Sequence, residues 1–276
     1  MKTIGKFIPV LLILGIMLTQ LAFAGEARKR ISASKDEFSD ISDIEAEIVF
    51  GRELSARILG NYSLIDDEEI IKYVNLVGKA LALYAGRPEL EFYFGVLDTD
   101  ELNAFATPGG YVFITNGALM KMDNEAQLAG VLGHEIAHVV KKHVVKELHI
   151  KGDEGSAAGG IAGLIGGTTG TVRVALDQAL DDATNILFNR GYKIADEIEA
   201  DRVGILLASI VGYDPLALKE FLSSVRSFEV EDKTYKGEHP VFEVRMREID
   251  KTLNEHGLKN VKKAKVRDRF YENVKK

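Results

Sequence analysis

Residues 124–138 read NEAQLAGVLGHEIAH, and this stretch predicts a buried helix. Asn124 and Gln127 form a capping-box pattern, which is typical of the first turn of a helix. The apolar side of this helix is formed by Leu128, Val131, Leu132, Val139 and Val140. The segment therefore predicts a helix that packs one side into the protein and begins at its own cap.

Residues 134–138 within this helix match the pattern H-E-x-x-H. His134 and His138 stand one helical turn apart, so both imidazoles project from the same face and can converge on one metal ion. Glu135 then lies beside the open coordination position, where it can take a proton from metal-bound water. The pattern predicts a zinc site in which Glu135 is the general base.

A catalytic zinc site of this kind needs a third protein ligand. The chain has no cysteine, so the third ligand is a histidine or a carboxylate. The remaining histidines are His143, His149, His239 and His256. Glu197 is favoured, because it shares a helical face with Asp201, which can accept a hydrogen bond from a ligand histidine. Acidic residues on a helix otherwise indicate a solvated face, and this is the interpretation for Glu199.

The composition is that of a globular protein with one catalytic core. The chain has 276 residues, of which 46% are hydrophobic and 28% are charged, and this supplies enough apolar side chains for a sizeable core. The absence of cysteine excludes disulfides and a thiol nucleophile. The formal net charge of -7 argues against attraction of the whole protein to nucleic acid, so no nucleic-acid partner is expected.

The first 24 residues have the three parts of a secretory signal. Lys2 and Lys6 precede an apolar run at residues 7–18, and a small-x-small cleavage site ends at Ala24. We expect export, with cleavage after Ala24. The alternative is an uncleaved membrane anchor, because the apolar stretch approaches the roughly 20 residues that span a bilayer.

The rest of the chain divides into a leader and one domain. Residues 25–41 are largely polar and charged and predict a mobile leader, so a single folded domain is expected at residues 42–276. Apolar periodicity predicts helices at residues 42–60, 66–84, 124–140, 172–188 and 195–210. Runs rich in aromatic and β-branched residues predict strands at residues 90–97 and 110–115. The pattern predicts a mainly helical α+β fold.

Two further segments each allow two interpretations. Residues 153–170 are dense in Gly and Ala, which fits a lid or a surface that meets a membrane or an unfolded client, and equally a flexible linker. The basic C-terminal end, residues 259–276, fits either an anionic-surface contact or a solvated helix end. Peripheral membrane contact through either segment is therefore a hypothesis.

The sequence resembles the gluzincin zinc metallopeptidases of metallopeptidase family 48 over nearly all of the predicted domain. Three segments carry the resemblance: NAFATPGGY at 103–111, the start of the zinc helix at 124–135, and EIEAD at 197–201. The resemblance implies a zincin-type α+β domain with a small sheet whose edge strand lines the active-site cleft beside the H-E-x-x-H helix. It also implies one zinc ion per chain.

The same resemblance implies roles for individual residues. It makes His134, His138 and Glu197 the zinc ligands, with Asp201 behind them and Glu135 as the catalytic base. His239, followed by Pro240, and Arg245 resemble a family element near the active site, so His239 is expected near the zinc or the scissile carbonyl and Arg245 is expected to help hold the cleft. The edge strand is placed at residues 110–114, and the expected substrate-binding residues are Gly109, Gly110, Tyr111 and Val112.

The expected function is zinc-dependent hydrolysis of extended or misfolded envelope proteins in the periplasm. The expected partners are therefore unfolded or misassembled envelope proteins. Two alternatives stay open: a non-proteolytic zinc-binding envelope chaperone, and a latent enzyme in which His239 fills the fourth zinc position. Glu135 argues against the chaperone, because a purely structural zinc site has no use for a base.

Overall fold

A computed structural model of the protein describes residues 40–152, 170–231 and 242–275. The described helices are α1 (Ile41–Leu59), α2 (Glu68–Ala82), α3 (Asn116–Lys121), α4 (Glu125–Val140), α5 (His143–Glu147), α6 (Gly170–Asn185), α7 (Ile194–Val211), α8 (Ala217–Glu231), α9 (Phe242–Glu255) and α10 (Arg267–Val274). The described strands are β1 (Tyr93–Leu97), β2 (Ala104–Thr107) and β3 (Tyr111–Thr115). The predicted mainly helical α+β fold is confirmed.

Two of the described helices begin at a residue whose side chain caps the helix. Asn124 accepts a hydrogen bond from the Gln127 N–H at 3.1 Å, as its capping pattern predicts. Asp67 likewise caps α2 by accepting from two backbone N–H groups. The helix predicted from residue 42 begins at Ile41, and its N-cap residue Asp40 makes no side-chain cap hydrogen bond.

The sheet has the order β1-β3-β2, with β1 parallel and β2 antiparallel to β3. The central strand is therefore β3, and the prediction that residues 110–114 form the edge strand is wrong. Both sides of β3 already pair with neighbouring strands, so its backbone is not open to a peptide. Among the residues that the structure describes, the strand edge that faces the zinc helix belongs to β2.

Gly109 and Gly110 form a buried turn between β2 and β3. Their φ angles are 76° and 99°, values that favour glycine. A Cβ atom on Gly109 would lie 2.9 Å from the Ile48 Cα of α1, and one on Gly110 would lie 2.4 Å from the Glu91 carbonyl oxygen. These glycines permit close packing of the turn, and their role in substrate binding stays a prediction.

Tyr111 and Val112 lie in the central strand, and their role in substrate binding stays a prediction. The Tyr111 ring stacks on Tyr93 with centroids 5.1 Å apart, and the Val112 side chain is buried in the core. Their partners in the sheet are Tyr93 and Phe94 on one side and the last two residues of β2 on the other. Neither residue presents a free strand edge to a peptide.

Every residue of α4 is buried, and α7 crosses it at backbone contact distance. The contact requires two glycines. A Cβ atom on Gly133 would lie 2.9 Å from the Gly204 carbonyl oxygen, and one on Gly204 would lie 2.6 Å from the His134 backbone nitrogen. This close crossing brings the acidic face of α7 against the histidines of α4.

The C-terminal helix α10 packs on the protein and is not a wholly solvated end. Phe270 and Val274 are buried. Arg269 donates through Nε and Nη2 to both oxygens of Glu125, the first residue of α4, with the Nε bond 2.7 Å long. The hydroxyls of Tyr73 and Tyr213 donate to the same buried carboxylate at 2.5 Å. The basic C-terminal end therefore stabilises the start of the zinc helix α4.

Several predictions fall on residues outside the described ranges. They are the signal sequence at residues 1–24, the leader up to residue 39, most of the Gly- and Ala-rich segment, and His239. Within the described ranges, no helix combines the length and apolar character needed to cross a membrane.

Candidate metal centre

Three buried side chains converge where α4 crosses α7. His134, His138 and Glu197 each offer one ligand atom within 4.8 Å of the other two. The Nε2 atoms of the two histidines are 3.1 Å apart. Glu197 places Oε2 at 3.6 Å from the His134 Nε2 and Oε1 at 3.8 Å from the His138 Nε2. The three side chains predicted as ligands are thus brought together.

These distances fit a zinc ion. Zinc–imidazole bonds of about 2.0–2.1 Å at a tetrahedral angle place two ligand nitrogens about 3.3 Å apart, close to the spacing observed for His134 and His138. Two imidazoles and one carboxylate are also the ligand types of a catalytic zinc site with an open fourth position. The site accommodates one zinc ion per chain.

His134 is held from behind by a buried, charged pair. Its Nδ1 lies 2.9 Å from the Asp201 Oδ1. Arg245 donates to the same carboxylate through Nε at 2.8 Å and Nη2 at 2.7 Å, and its Nη1 lies 3.0 Å from the Glu197 Oε2. Asp201 therefore fixes the proton of His134 on Nδ1, which leaves Nε2 as the metal-binding atom.

The charges of this network set its protonation states. Burial alone would raise the pKa of Asp201, but the adjacent Arg245 guanidinium outweighs burial and lowers that pKa below its ordinary value. Burial lowers the pKa of His134, and the hydrogen bond and charge of Asp201 raise it to a net value above the ordinary one. Asp201 is accordingly a carboxylate that accepts from both neighbours.

His138 is held by a different kind of partner. Its Nδ1 lies 2.8 Å from the Nδ1 of buried His143. The Nε2 of His143 lies 3.4 Å from Glu199, which also pairs with Lys141 at 3.1 Å. If His138 binds metal through Nε2, its Nδ1–H donates to His143, and the Nε2–H of His143 donates to Glu199.

Glu199 is therefore more than a residue of a solvated face. Its side chain is 45% exposed, yet it accepts from the His143 imidazole. That hydrogen bond, and then the Lys141 charge, lower its pKa to about 2 against the opposing effect of partial burial. His143 is therefore not a third ligand, because it lies behind His138 and contacts the Nδ1 of that ring.

Tyr192 packs against the same ligand from another side. Its ring stacks on the His138 imidazole with centroids 3.9 Å apart and an interplanar angle of 24°. The hydroxyl is buried and has no hydrogen-bond partner among the described residues. Burial raises the pKa of this phenol well above its ordinary value, and the nearby carboxylates of Glu135 and Glu197 raise it further. Tyr192 is therefore neutral and restricts the ring of His138.

Glu135 lies beside the three ligands and faces open space. It is 3% exposed and lines a cleft with His134 and Arg245. The cleft also borders Asn103 and Ala104, at the beginning of the edge strand β2. A small sheet with an edge strand beside the H-E-x-x-H helix is therefore present, although the strand is β2 instead of β3.

Two predicted site residues remain, Arg245 and His239. Arg245 is buried, binds Asp201 and Glu197, and lines the cleft, so it holds the ligands in place from the cleft wall. His239 lies outside the described residues, and its role stays a prediction.

Sequence reasoning missed the strand β2 and the link between His143 and His138. The run AFAT at residues 104–107 has a short β-type pattern that could have indicated a strand. The spacing of His138 and His143 gives no comparable signal, because the contact depends on the turn between α4 and α5. Lys142, in that turn, adopts a left-handed conformation with φ of 57°.

Comparison with known proteins gives consistent matches. Residues 71–253 match the profile of Peptidase family M48. The chain is 28% identical over 237 residues to the beta-barrel assembly-enhancing protease of Yersinia pestis, covering 78% of this chain and 46% of the relative. The protein of that name from Escherichia coli (strain K12) is 31% identical over 188 residues, which cover 66% of this chain and 38% of the relative.

A eukaryotic relative is also similar. The mitochondrial metalloendopeptidase OMA1 of Schizosaccharomyces pombe is 29% identical over 194 residues, which cover 68% of this chain and 54% of the relative. The chain thus spans between about two fifths and about half of the length of these relatives. The stretch that matches the family profile contains the three converging ligands, Glu135 and Arg245.

Proposed function

The chain belongs to peptidase family M48, and from this premise we propose that it is an endopeptidase that hydrolyses extended or misfolded envelope proteins. Membership of this family, together with the buried ligand cluster, identifies a zinc metallopeptidase. The observation that carries the proposal is the convergence of His134, His138 and Glu197 beside a carboxylate that faces a cleft.

Glu135 performs the proton transfers of this reaction. When bound, zinc supplies Lewis acidity that polarises the scissile carbonyl and makes a water molecule more acidic. Glu135 accepts the proton of the attacking water and, as a carboxylic acid, returns it to the leaving amine. Its burial keeps bulk water from competing for that proton. Asp201 and Arg245 hold His134 and Glu197 in place during both transfers.

The substrate backbone is proposed to pair with the open edge of β2. The Thr115 N–H donates to the Asn103 carbonyl at 3.0 Å, so the backbone groups of Asn103 face β3. Because these groups alternate along an antiparallel strand, those of Ala104 and Ala106 face outward. An extended peptide that adds to this edge forms backbone hydrogen bonds that read little side-chain sequence. Such binding suits unfolded clients.

The substrate class and the compartment are supported by independent observations. Several relatives are named beta-barrel assembly-enhancing proteases, which connects those relatives with beta-barrel assembly. The sequence begins with the pattern of a secretory signal. We therefore propose export to the periplasm and quality control of unfolded or misassembled envelope proteins.

The test compares the wild-type protein with Glu135→Gln. Glutamine keeps the shape of the side chain but cannot accept and return a proton. We expect both proteins to hold about one zinc ion per chain, and we expect only the wild type to cleave casein. Zinc is measured by elemental analysis and cleavage by gel electrophoresis and mass spectrometry.

Two results would contradict the proposal. If both proteins hold zinc and neither cleaves casein, the protein is not a constitutive endopeptidase under these conditions. If neither protein holds zinc, the ligand assignment is wrong. An Ala106→Pro variant tests the backbone pairing separately, because proline removes the outward N–H of the edge strand and should raise KM with a smaller effect on zinc content.

A further inference from the structure

Arg87, in the segment between α2 and β1, connects three parts of the structure. Its Nη2 donates to the Glu47 Oε2 of α1 at 2.8 Å, and its Nη1 donates to the Val139 carbonyl of α4 at 3.1 Å. Its Nε pairs with Glu89 in the same segment. The side chains of Arg87 and Glu47 are 8% and 1% exposed, so this ion pair lies in the interior. The planar guanidinium holds its partners at fixed angles.

The Val139 carbonyl lies at the end of α4 that carries the ligand His138. It is one of the last four carbonyls of the helix, which a helix leaves without their regular partners. It accepts from the Lys142 N–H at 3.0 Å as well as from Arg87. A cation at this end is also favoured by the helix dipole. Arg87 therefore holds the residue that directly follows His138.

Glu47 connects the same cation to the turn after β2. The Gly109 N–H of this turn donates to the Glu47 Oε1 at 3.4 Å. A Cβ atom on Gly51 of α1 would lie 1.7 Å from the Pro108 carbonyl oxygen, so the turn lies directly on α1. The C-terminal end of β2 is thus fixed to α1 and, through the ion pair, to the end of α4.

A narrow cavity lies between these two ends. Its volume is about 190 Å³, counting its mouth, and its lining includes Ala106 and Thr107 of β2, His138 and Val139 of α4, and Glu47. Protein interiors are otherwise closely packed. Close packing alone therefore does not set the spacing between the end of β2 and the ligand helix, and the ion pair contributes to it.

This spacing matters for a peptide that pairs with β2. The outward backbone groups of Ala106 are among those proposed to bind the substrate. A peptide that pairs there must also place its cleaved bond beside Glu135 and the ligands. A misplacement of about 1 Å can cost about 100-fold in rate. The spacing between Ala106 and His138 therefore decides whether one peptide can make both contacts.

We propose that Glu47 and Arg87 are positioning residues that set the spacing between the C-terminal end of β2 and the ligand His138. The proposal rests on the proposed function, because it concerns the alignment of the substrate with the same active site. The two residues act through the Gly109 N–H and the Val139 carbonyl. A long peptide benefits from this alignment, and a peptide that covers only the cleaved bond does not.

The test measures kcat/KM for peptides that share one cleaved bond and are lengthened by one residue at a time at either end. Lengthening should raise kcat/KM for the zinc-loaded wild type. Glu47→Gln keeps the size of the side chain but removes the charge that holds the guanidinium. It should lower kcat/KM about tenfold for peptides lengthened at one end, and not for those lengthened at the other.

The loss should appear mainly in KM, because pairing at the end of β2 binds the substrate and the transition state alike. The shortest peptide should be cleaved within about twofold of the wild-type rate. A residue that only stabilises the fold would lower cleavage of all peptides by the same factor. The dependence on peptide length therefore distinguishes positioning from general support.

Arg87→Lys is a second and milder variant. Lysine keeps a positive charge beside Glu47, but it lacks the fork that holds Glu47 and the Val139 carbonyl at the same time. We expect the same loss at one end of the peptide, by about threefold. Because the buried charges stay paired, this variant tests the proposal even if Glu47→Gln does not fold.

Two control variants are available. Glu125 is also a buried carboxylate bound by an arginine, Arg269, but it lies at the other end of α4. Glu125→Gln should therefore leave the dependence on peptide length unchanged. Glu89→Gln removes the more exposed partner of Arg87 and keeps the contacts with Glu47 and α4, so it should also leave this dependence unchanged.

A binding measurement separates alignment from catalysis. The protein has no tryptophan, so the fluorescence of a peptide with one Trp reports only the surroundings of that peptide. Zinc-loaded Glu135→Gln should bind the longest peptide more tightly than the shortest. Adding Glu47→Gln should weaken binding of the longest peptide about tenfold and leave the shortest unchanged. Zinc content is measured for every variant in parallel.

The outcomes distinguish the two claims. An equal loss for all peptides, no loss in Glu47→Gln, or the same pattern in Glu125→Gln would overturn the positioning role and leave the peptidase standing. A zinc-loaded wild type that cleaves none of the peptides would contradict the proposed function. In that case a loss of binding confined to the long peptides would still support the positioning role, and unchanged binding would overturn it.

Discussion

The two ligand histidines occupy the same helix face, yet they are held in different ways. His134 is backed by Asp201 and Arg245, which form a fully buried ion pair. His138 is backed by the imidazole of His143, which in turn contacts the half-exposed Glu199. Both arrangements direct an Nε2 atom to the same point, but one is charged and buried and the other ends at solvent.

Because of this difference, folding and metal binding should respond differently to the loss of the two sets of partners. Removing one partner of a buried ion pair leaves the other charge buried and unpaired, which is strongly destabilising. Its loss should therefore affect both folding and metal binding. A chain of hydrogen bonds that ends at the surface can recruit water when it is broken, so its loss should affect ligand orientation more than folding. Loss of the partner of His134 should therefore have a larger effect than loss of the partner of His138.

The largest effect is expected for Asp201→Ala. This change leaves the Arg245 guanidinium buried without its main partner, and we expect a loss of about 3–5 kcal/mol in the free energy of unfolding. Zinc affinity should fall by about 10–100-fold, because His134 loses the acceptor that fixes its tautomer. Urea unfolding and competition with a chelator measure the two effects. Asp201→Asn, which keeps an acceptor oxygen, should lose less of both.

A buried carboxylate far from the ligands provides the reference. Glu125→Gln removes the charge bound by Arg269 at the start of α4, with an expected loss of about 2 kcal/mol at neutral pH and unchanged zinc affinity. Burial raises the pKa of Glu125, but its hydrogen bonds outweigh burial, so the net pKa lies below the ordinary 4.5. This stabilisation is present above pH 4.5 and is lost as the pH falls below it.

This prediction is tested by the difference in the free energy of unfolding between the two proteins, measured as a function of pH. The free energies of wild type and Glu125→Gln should converge as the pH is lowered below 4.5. A gap that persists at low pH would show that the carboxylate charge is not its source. A fall in zinc affinity would show that the start of α4 and the metal centre are coupled, and the comparison of the two histidines would need to include this end of the helix.

His143→Phe is expected to have a smaller effect on folding than Asp201→Ala. The ring fills the same buried space but cannot accept from the His138 Nδ1–H, which we expect to cost about 1–2 kcal/mol in the free energy of unfolding. Zinc affinity should fall about tenfold. His143→Gln offers an amide oxygen as acceptor and should recover part of the affinity. Equal affinities for the two variants would contradict the proposed hydrogen bond.

The smallest effect is expected for Glu199→Gln, at the surface end of the same chain. Its ion pair with Lys141 is partly solvated, and the change should cost less than about 1 kcal/mol in the free energy of unfolding. Added salt should reduce the difference from wild type further. If Glu199→Gln weakens zinc binding as much as Asp201→Ala does, the two histidines depend equally on their outer partners.

The features that could be predicted from the sequence are those that depend on short-range interactions. The spacing of His134 and His138, the cap at Asn124, and the shared face of Glu197 and Asp201 all depend on residues within a turn or two of one helix. Hydrophobic periodicity also indicated five of the ten described helices, and runs of aromatic and β-branched residues indicated two of the three described strands. The ligand set was therefore predictable before any tertiary contact was known.

The strand order could not be predicted in the same way. β3 lies between β1 and β2 because of pairings between segments that are separate in sequence, and a strand pattern does not reveal its neighbours. The predicted edge at residues 110–114 was wrong for this reason. The apolar cleft beside the open edge of β2 depends in the same way on the packing of α8 against α4.

By itself, the sequence determined that one helix carries a metal-binding pair with a base beside it, because helical geometry is local and repeats along the chain. Only the tertiary structure decided that Asp201 supports His134 and that His143 supports His138. The close crossing at Gly133 and Gly204 brings Asp201 against His134, and the turn after α4 brings His143 against His138. Such contacts depend on how whole elements pack, which residue spacing does not encode.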